Sequence, residues 1–158
     1  MTKLWEKGTE FDKKIENFTV GNDTNLDQIL IPYDCEASIA HVNMLNKMDY
    51  LNNDESQKLI DELNFISKES KKGNFNILKS QEDCHTAIED HLIKTCGDSG
   101  EKIHTARSRN DQVLTALRLY YRDSIENIQK LLNELASVLE VFSNKNGEIE
   151  FPGYTHMQ

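Results

Sequence analysis

Eleven consecutive residues, Lys102-Ile103-His104-Thr105-Ala106-Arg107-Ser108-Arg109-Asn110-Asp111-Gln112, carry nine polar or charged side chains just ahead of a long run without glycine or proline. Where a helix begins, unpaired backbone N–H groups and the positive end of the helix dipole attract anions, and two arginines with nearby hydroxyls would complete a receptor for carboxylate or phosphate. The same residues also support a plainer reading. Ser108 or Thr105 can cap the helix and Asp111 falls in the first turn, where acids are favoured. A second cluster, Glu82-Asp83-Cys84-His85-Thr86-Ala87-Ile88-Glu89-Asp90-His91, opens a shorter helix. Only His85 and Glu89, four apart, share a face, so the ligand count falls short of a metal site; an acidic helix start with His85 as a polar anchor is the better reading. The third cluster, Gly153-Tyr154-Thr155-His156-Met157-Gln158, pairs a hydroxyl with an imidazole suited to proton exchange near neutral pH. Spacing alone does not assign it a role.

These clusters need elements to hold them. With 7 Gly and 2 Pro in 158 residues, the frequent tight turns of an all-β meander are excluded, and the chain reads as mainly helical. Leu26, Ile29, Leu30, Tyr33, Ala37, Ala40, Met44 and Met48 recur at three- and four-residue steps and predict a helix face, with Pro32 either restarting the helix in its first turn or kinking it. A second helix is predicted from a cap at Asn53 or Asp54, through Leu59, Ile60, Leu63 and Ile66 on its inner face, to Lys71-Lys72-Gly73. A third lies between Gln81 and Gly97. From Ala106 to Ser143 the stripe Val113, Leu117, Tyr120, Ser124, Ile128, Leu131, Leu135, Val138 and Phe142 follows a heptad-like rhythm, and Leu114, Tyr121, Ile125, Leu132 and Leu139 run beside it. At about 1.5 Å per residue this rod extends to nearly 60 Å, longer than one small globule can cover. Its neighbours are expected in further sequence or in other subunits.

Composition narrows the partners. The charge is −9, from 18 Lys+Arg against 27 Asp+Glu, which repels phosphate backbones and anionic lipid and disfavours nucleic acid or a membrane surface. A small ligand or a protein partner is expected instead. The stretch Met1 to Glu10 has no signal-peptide core, and no run approaches the ~20 apolar residues of a membrane span, so a cytoplasmic location is expected. Cys35, Cys84 and Cys96 form no CxxC pair and are read as reduced thiols. The abrupt stop on Gln158 reads as a polypeptide cut mid-protein.

Lys3-Leu4-Trp5, Glu82-Asp83-Cys84-His85-Thr86-Ala87, the run from His104 to Val113 and the terminal Pro152-Gly153-Tyr154-Thr155-His156-Met157-Gln158 together resemble the argininosuccinate lyases of the fumarase/aspartase superfamily, which also includes the delta-crystallins. The resemblance covers essentially the whole chain, roughly the first third of a typical member. It implies a mainly α fold of the fumarase/aspartase type. An N-terminal helical domain would occupy 1–105, and the first long helix of a central bundle with its following loop 106–158. It implies reversible β-elimination of argininosuccinate to arginine and fumarate, without metal or organic cofactor, in a homotetramer whose sites each draw on three subunits. On this pattern Ser108, Arg109 and Asn110 hold the fumaryl carboxylates, with Arg107 the less certain arginine. Thr155 contacts substrate, His156 takes part in proton transfer, Asp83 and His85 line a second patch, and Gln158 joins the binding residues.

The sequence departs from the pattern in places. Ala106 stands where many members have Gly, and Glu6-Lys7-Gly8 and Thr19-Val20-Gly21-Asn22-Asp23 replace segments that carry a substrate-contacting arginine and serine. The family's mobile serine loop has no counterpart in the chain. The isolated chain is therefore expected to be inactive and prone to associate. The other readings are a non-catalytic, crystallin-like or helical interaction fragment, or another superfamily lyase that releases fumarate.

Overall fold

The computed structural model describes residue 18 and residues 21–78, 81–150 and 153–156. Lys3-Leu4-Trp5, Glu6-Lys7-Gly8, Thr19-Val20, Phe151-Pro152 and Met157-Gln158 lie outside the described residues. The chain divides into two compact units, residues 1–120 and 121–158. Among the described residues the regular elements are helical. Short helix α1 (Asp23–Asp27) runs through a 3-10 turn (Gln28–Leu30) into α2 (Ile31–Lys47); then come α3 (Asn53–Lys71), α4 (Cys84–Cys96), a single turn α5 (Asp98–Glu101), a 3-10 turn (Lys102–His104) and α6 (Arg109–Asn146). The mainly α expectation holds.

Pro32 resolves as a restart. It sits in the first turn of α2, where its missing N–H costs nothing and its fixed φ suits the helix. The inner face of α2 differs from the expected one. The buried stripe is Ile31, Asp34, Cys35, Ser38, Val42 and Leu45, whereas Leu26, Ile29, Met44 and Met48 are exposed. The period was legible but the phase was not, because two polar residues, Asp34 and Ser38, occupy the inward side.

Helix α3 begins one residue earlier than expected. Asn52 is the cap, its side chain accepting the Glu55 N–H at 2.8 Å while the Glu55 carboxylate accepts the Asn52 N–H at 2.9 Å. Glu55 also accepts Lys102 Nζ at 2.6 Å, which fastens the 3-10 turn leading toward α6 onto α3. The inner residues Leu59, Leu63 and Ile66 are buried as expected, with Ile60 packed at their edge.

In the first unit α2 packs against α3, and α4 lies against both. The shared core contains Ile31, Cys35, Val42, Leu45, Leu51, Leu59, Leu63, Ile66, Cys84, Ile88, Leu92 and Ile103. The amide of Gln28 reaches across the sequence to the carbonyl of Phe75 and the N–H of Ile77, holding the connection between α3 and α4 against the α1–α2 junction. The cysteines are free and buried.

Two features bear on how α6 is launched. Gly97, at φ +63°, ends α4 in a conformation that L side chains rarely adopt. Gly100 then passes so close to α4 that a Cβ there would lie 2.4 Å from the Leu92 carbonyl oxygen. Helix α6 spans 38 residues, shifted three residues toward the C-terminus from the expected bounds. Near its start Gln112 and Ala116 are buried and Tyr120 meets Tyr33 of α2 edge to face, with ring centroids 5.7 Å apart. In the second unit Ile125, Ile128, Leu131, Leu132, Leu135, Val138, Leu139 and Phe142 are all exposed. No helix among the described residues is long and apolar enough to cross a membrane.

Gly100→Ala is expected to destabilise the first unit by about 1–3 kcal/mol, the usual range for overpacking against an element that cannot yield. Urea unfolding followed by circular dichroism measures it, with the midpoint moving down and the slope unchanged.

Candidate anion site at the start of the long helix

The first turn of α6 is built by Ser108 and Asp111. Asp111 Oδ2 accepts both the Ser108 N–H and its hydroxyl, each at 2.9 Å, and the Ser108 hydroxyl oxygen accepts the Asp111 N–H at 3.3 Å. This is the reciprocal cap that the sequence offered as its plainer reading, and these bonds hold the Asp111 carboxyl below the usual carboxylate range. Ser108 and Asn110 are exposed.

Ahead of the cap the chain turns at Ala106, which sits at φ +57°. Glycine takes this left-handed geometry freely, while alanine brings its Cβ too near the backbone carbonyl. The turn is tied down at its carbonyl side by His41 of α2, whose Nε2 lies 3.0 Å from the Thr105 oxygen and donates to it. Burial first, and then the Arg107 charge, lower the His41 pKa from 6.5, so the ring serves here as a neutral donor.

The two arginines face different ways. Arg107 turns into the protein: Nη1 donates to Ser38 Oγ of α2 at 3.2 Å and Nη2 to the Ile103 carbonyl at 3.5 Å, while Nε is buried without a partner. Burial pulls its pKa below the ordinary value, and the nearby Asp34 carboxylate is the strongest opposing influence. Arg109 instead reaches the start of α4. Its Nε lies 3.6 Å from Asp83 Oδ2, and its Nη2 lies 3.8 Å from Glu89 Oε2 and donates to Thr86 Oγ1 at 3.3 Å. Its Nη1 is buried with no acceptor. Two acids therefore steady the guanidinium while one donor remains unmatched.

Asp83 serves two ends at once. It caps α4, accepting the Thr86 N–H at 2.7 Å and the Thr86 hydroxyl at 2.8 Å, and it faces Arg109. Asp27 of α1 adds a second acceptor at this helix start, 3.4 Å from the Cys84 N–H. Burial, opposed by that N–H, raises the Asp27 pKa above the carboxylate norm.

His85 is buried, with Nδ1 3.0 Å from Asp34 Oδ2, within ion-pair distance though without a hydrogen bond. It thus stands in the core behind Asp83 and Arg109. Burial and then Asp34 push the Cys35 thiol up, and the same two causes push up Cys84, so both stay protonated and unreactive. Among the described residues no group of three or more His, Cys, Asp or Glu is placed to hold a metal ion. In the second unit Thr155 and His156 are exposed, with His156 at φ +52°.

The structure therefore brings Arg109 and Asp83 together, turns Arg107 to Ser38 and His85 to the buried Asp34, and leaves Ser108 and Asn110 at the surface. Sequence reasoning missed Asp34, Ser38 and His41. A usable signal existed for the first two: Asp34 and Ser38 are four apart and in phase with Ile31, Cys35, Val42 and Leu45, so they interrupt an otherwise apolar stripe.

A family model described as a lyase matches residues 3–158. The chain belongs to that lyase family. The fumarase/aspartase-type helical fold is the fold of this family, in agreement with the expectation from sequence. Curated relatives of this chain include the argininosuccinate lyase of Thermotoga neapolitana, 49% identical over 154 residues that make up 98% of this chain and 39% of the relative. The argininosuccinate lyase of Parabacteroides distasonis is 41% identical across 99% of this chain and 35% of its own length, and that of Sorangium cellulosum is 40% identical across 99% and 36%. The chain thus spans little more than a third of the length of the relatives it matches.

Two outcomes are expected from this geometry. Ala106→Gly removes left-handed strain of roughly 1–2 kcal/mol, offset by the ~0.4–1 kcal/mol that glycine's unfolded freedom costs, and should raise the melting temperature slightly in a calorimetric scan. Because the His41 pKa is lower folded than unfolded, its contribution to stability is present above pH 6.5 and is lost as pH falls through the lowered value. His41→Gln should flatten stability against pH in that acidic window, as measured by urea midpoints.

Proposed function

We propose that this chain supplies the carboxylate-binding helix start and the first bundle helix of an argininosuccinate lyase, which splits argininosuccinate reversibly into arginine and fumarate. The reading is supported by the names and identities of the relatives together with one observation on the chain itself, the Arg109 guanidinium at the N-terminus of α6, held between Asp83 and Glu89 with its Nη1 left without an acceptor. A guanidinium steadied by Asp83 and Glu89 is preorganised, so that a dicarboxylate meets a fixed donor rather than a mobile side chain.

The elimination removes a weakly acidic C–H proton next to a carboxylate. Negative charge then builds up on that carboxylate, and the departing guanidine nitrogen needs a proton. Arg109, Asn110 and the N–H groups of the first turn of α6 are suited to the growing charge. Thr155 contacts substrate and His156 takes part in proton transfer; Ser108 acts through the cap it forms with Asp111, and Gln158 contributes to binding. Asp83 holds Arg109. His85 and Arg107 stand behind the contact residues. The reaction asks for no metal or organic cofactor.

In the same reading the chain works within a homotetramer. The exposed leucine, isoleucine and valine side chains of the second unit support this, since an apolar stripe of that length calls for neighbouring helices.

Fumarate release from argininosuccinate, followed by absorbance near 240 nm, tests the proposal on an assembled enzyme containing this chain. Arg109→Ala should lower kcat/KM by an amount equivalent to about 2–5 kcal/mol, the usual loss for truncating one partner of a desolvated charge pair. His156→Asn should act mainly on kcat. An assembled protein that releases no fumarate would favour the non-catalytic scaffold. For the chain alone, sedimentation equilibrium should show association and the assay no turnover.

A further inference from the structure

Asp34 is a carboxylate with no exposed surface and no hydrogen bond to either oxygen. Such a group persists in an apolar core only where positive charge or a strong donor dipole stands close by. Two residues meet that need, and they come from different parts of the chain. His85, in the first turn of α4, brings Nδ1 to 3.0 Å. Arg107, in the loop that launches α6, donates to Ser38 Oγ one helical turn beyond Asp34 on the same face of α2, and Asp34 is the acid that most favours its charge. Neither contact belongs to the carboxylate-binding surface itself. Each lies directly behind one of its supports: His85 two residues after Asp83, and Arg107 two residues before Arg109.

We propose that Asp34 is a positioning residue for this site, a buried carboxylate that draws His85 from one side and Arg107 from the other and thereby sets where Ser108, Arg109 and Asn110 stand relative to α4. It touches no substrate. Its action is to hold the turn through Ala106 closed against α2, so that the cap at Ser108 forms in register and Arg109 reaches Asp83 and Glu89. The proposal rests on the lyase reading only in taking residues 108–110 as the substrate-binding surface.

The test uses hydrogen exchange on the 158-residue chain with Asp34→Asn, which keeps the shape and removes the charge. The Arg107 N–H is bonded to the His104 carbonyl and the Gln112 N–H to the Ser108 carbonyl, so both report on the turn. These amides should exchange at least ten-fold faster in the variant, while the amides of Leu59, Leu63 and Ile66 in α3 stay within two-fold. Equal acceleration everywhere, or none at the turn, would overturn the proposal.

If the variant does not fold, nitrogen-15 NMR of the wild-type chain decides instead. His85 should carry its proton on Nδ1, facing Asp34, and a bare Nδ1 there would refute the arrangement. In an assembled enzyme that releases fumarate, Asp34→Asn should raise KM at least five-fold with a smaller change in kcat; an unchanged KM counts against a positioning role. Wild-type assembly without turnover would instead strike the lyase reading and leave the exchange result standing.

Discussion

The start of α6 is held in place chiefly by charge and hydrogen bonding. Arg109 spans from α6 to Asp83 and Glu89 of α4, Arg107 reaches back to Ser38 of α2, and His41 holds the carbonyl of Thr105. Ala116, Gln112 and the Tyr33–Tyr120 ring contact add packing farther along, but the four-residue turn before the helix owes its course to polar contacts that burial strengthens. Remove the acids at α4 and the guanidinium of Arg109 has little to fix its direction.

That dependence makes the N-terminus of α4 a shared junction. Its free N–H groups are met by Asp83 and Asp27, and Asp83 in turn faces Arg109. An acid that caps one helix and steadies an arginine launched from another lets two helix starts be positioned by one side chain. It also leaves the arginine partly neutralised. What remains for a ligand is the neutral amide of Asn110 and the helix N–H groups, backed by the charge of Arg109, whose one unmatched donor is buried, a combination better suited to orienting an anion than to holding it tightly.

The second unit poses a different physical problem. Its apolar residues fall on a helical stripe, yet they remain exposed in the chain taken by itself. Hydrophobic periodicity specifies which side of a helix seeks cover without naming the cover. For the first unit the cover is present, since Leu59, Leu63 and Ile66 of α3 meet α2 and α4.

Periodicity, caps and breakers were enough to read the helices from the sequence, because a 3.6-residue repeat and the chemistry of Asn, Gly and Pro at helix ends are local properties. The cap at Ser108 with Asp111 and the inner face of α3 were legible for the same reason, and so was the family likeness carried by the run from His104 to Gln112. The phase of α2 was not. Which side of it faces inward depends on what distant residues offer Asp34 and Ser38, and only the folded chain brings His85 to Asp34 across 51 positions and Arg107 to Ser38 across 69. The opposite aims of Arg107 and Arg109 were decided in the same way. Two identical side chains two residues apart carry no directional information until tertiary contacts place Ser38 and the buried Asp34 carboxylate beside one and a pair of acids beside the other.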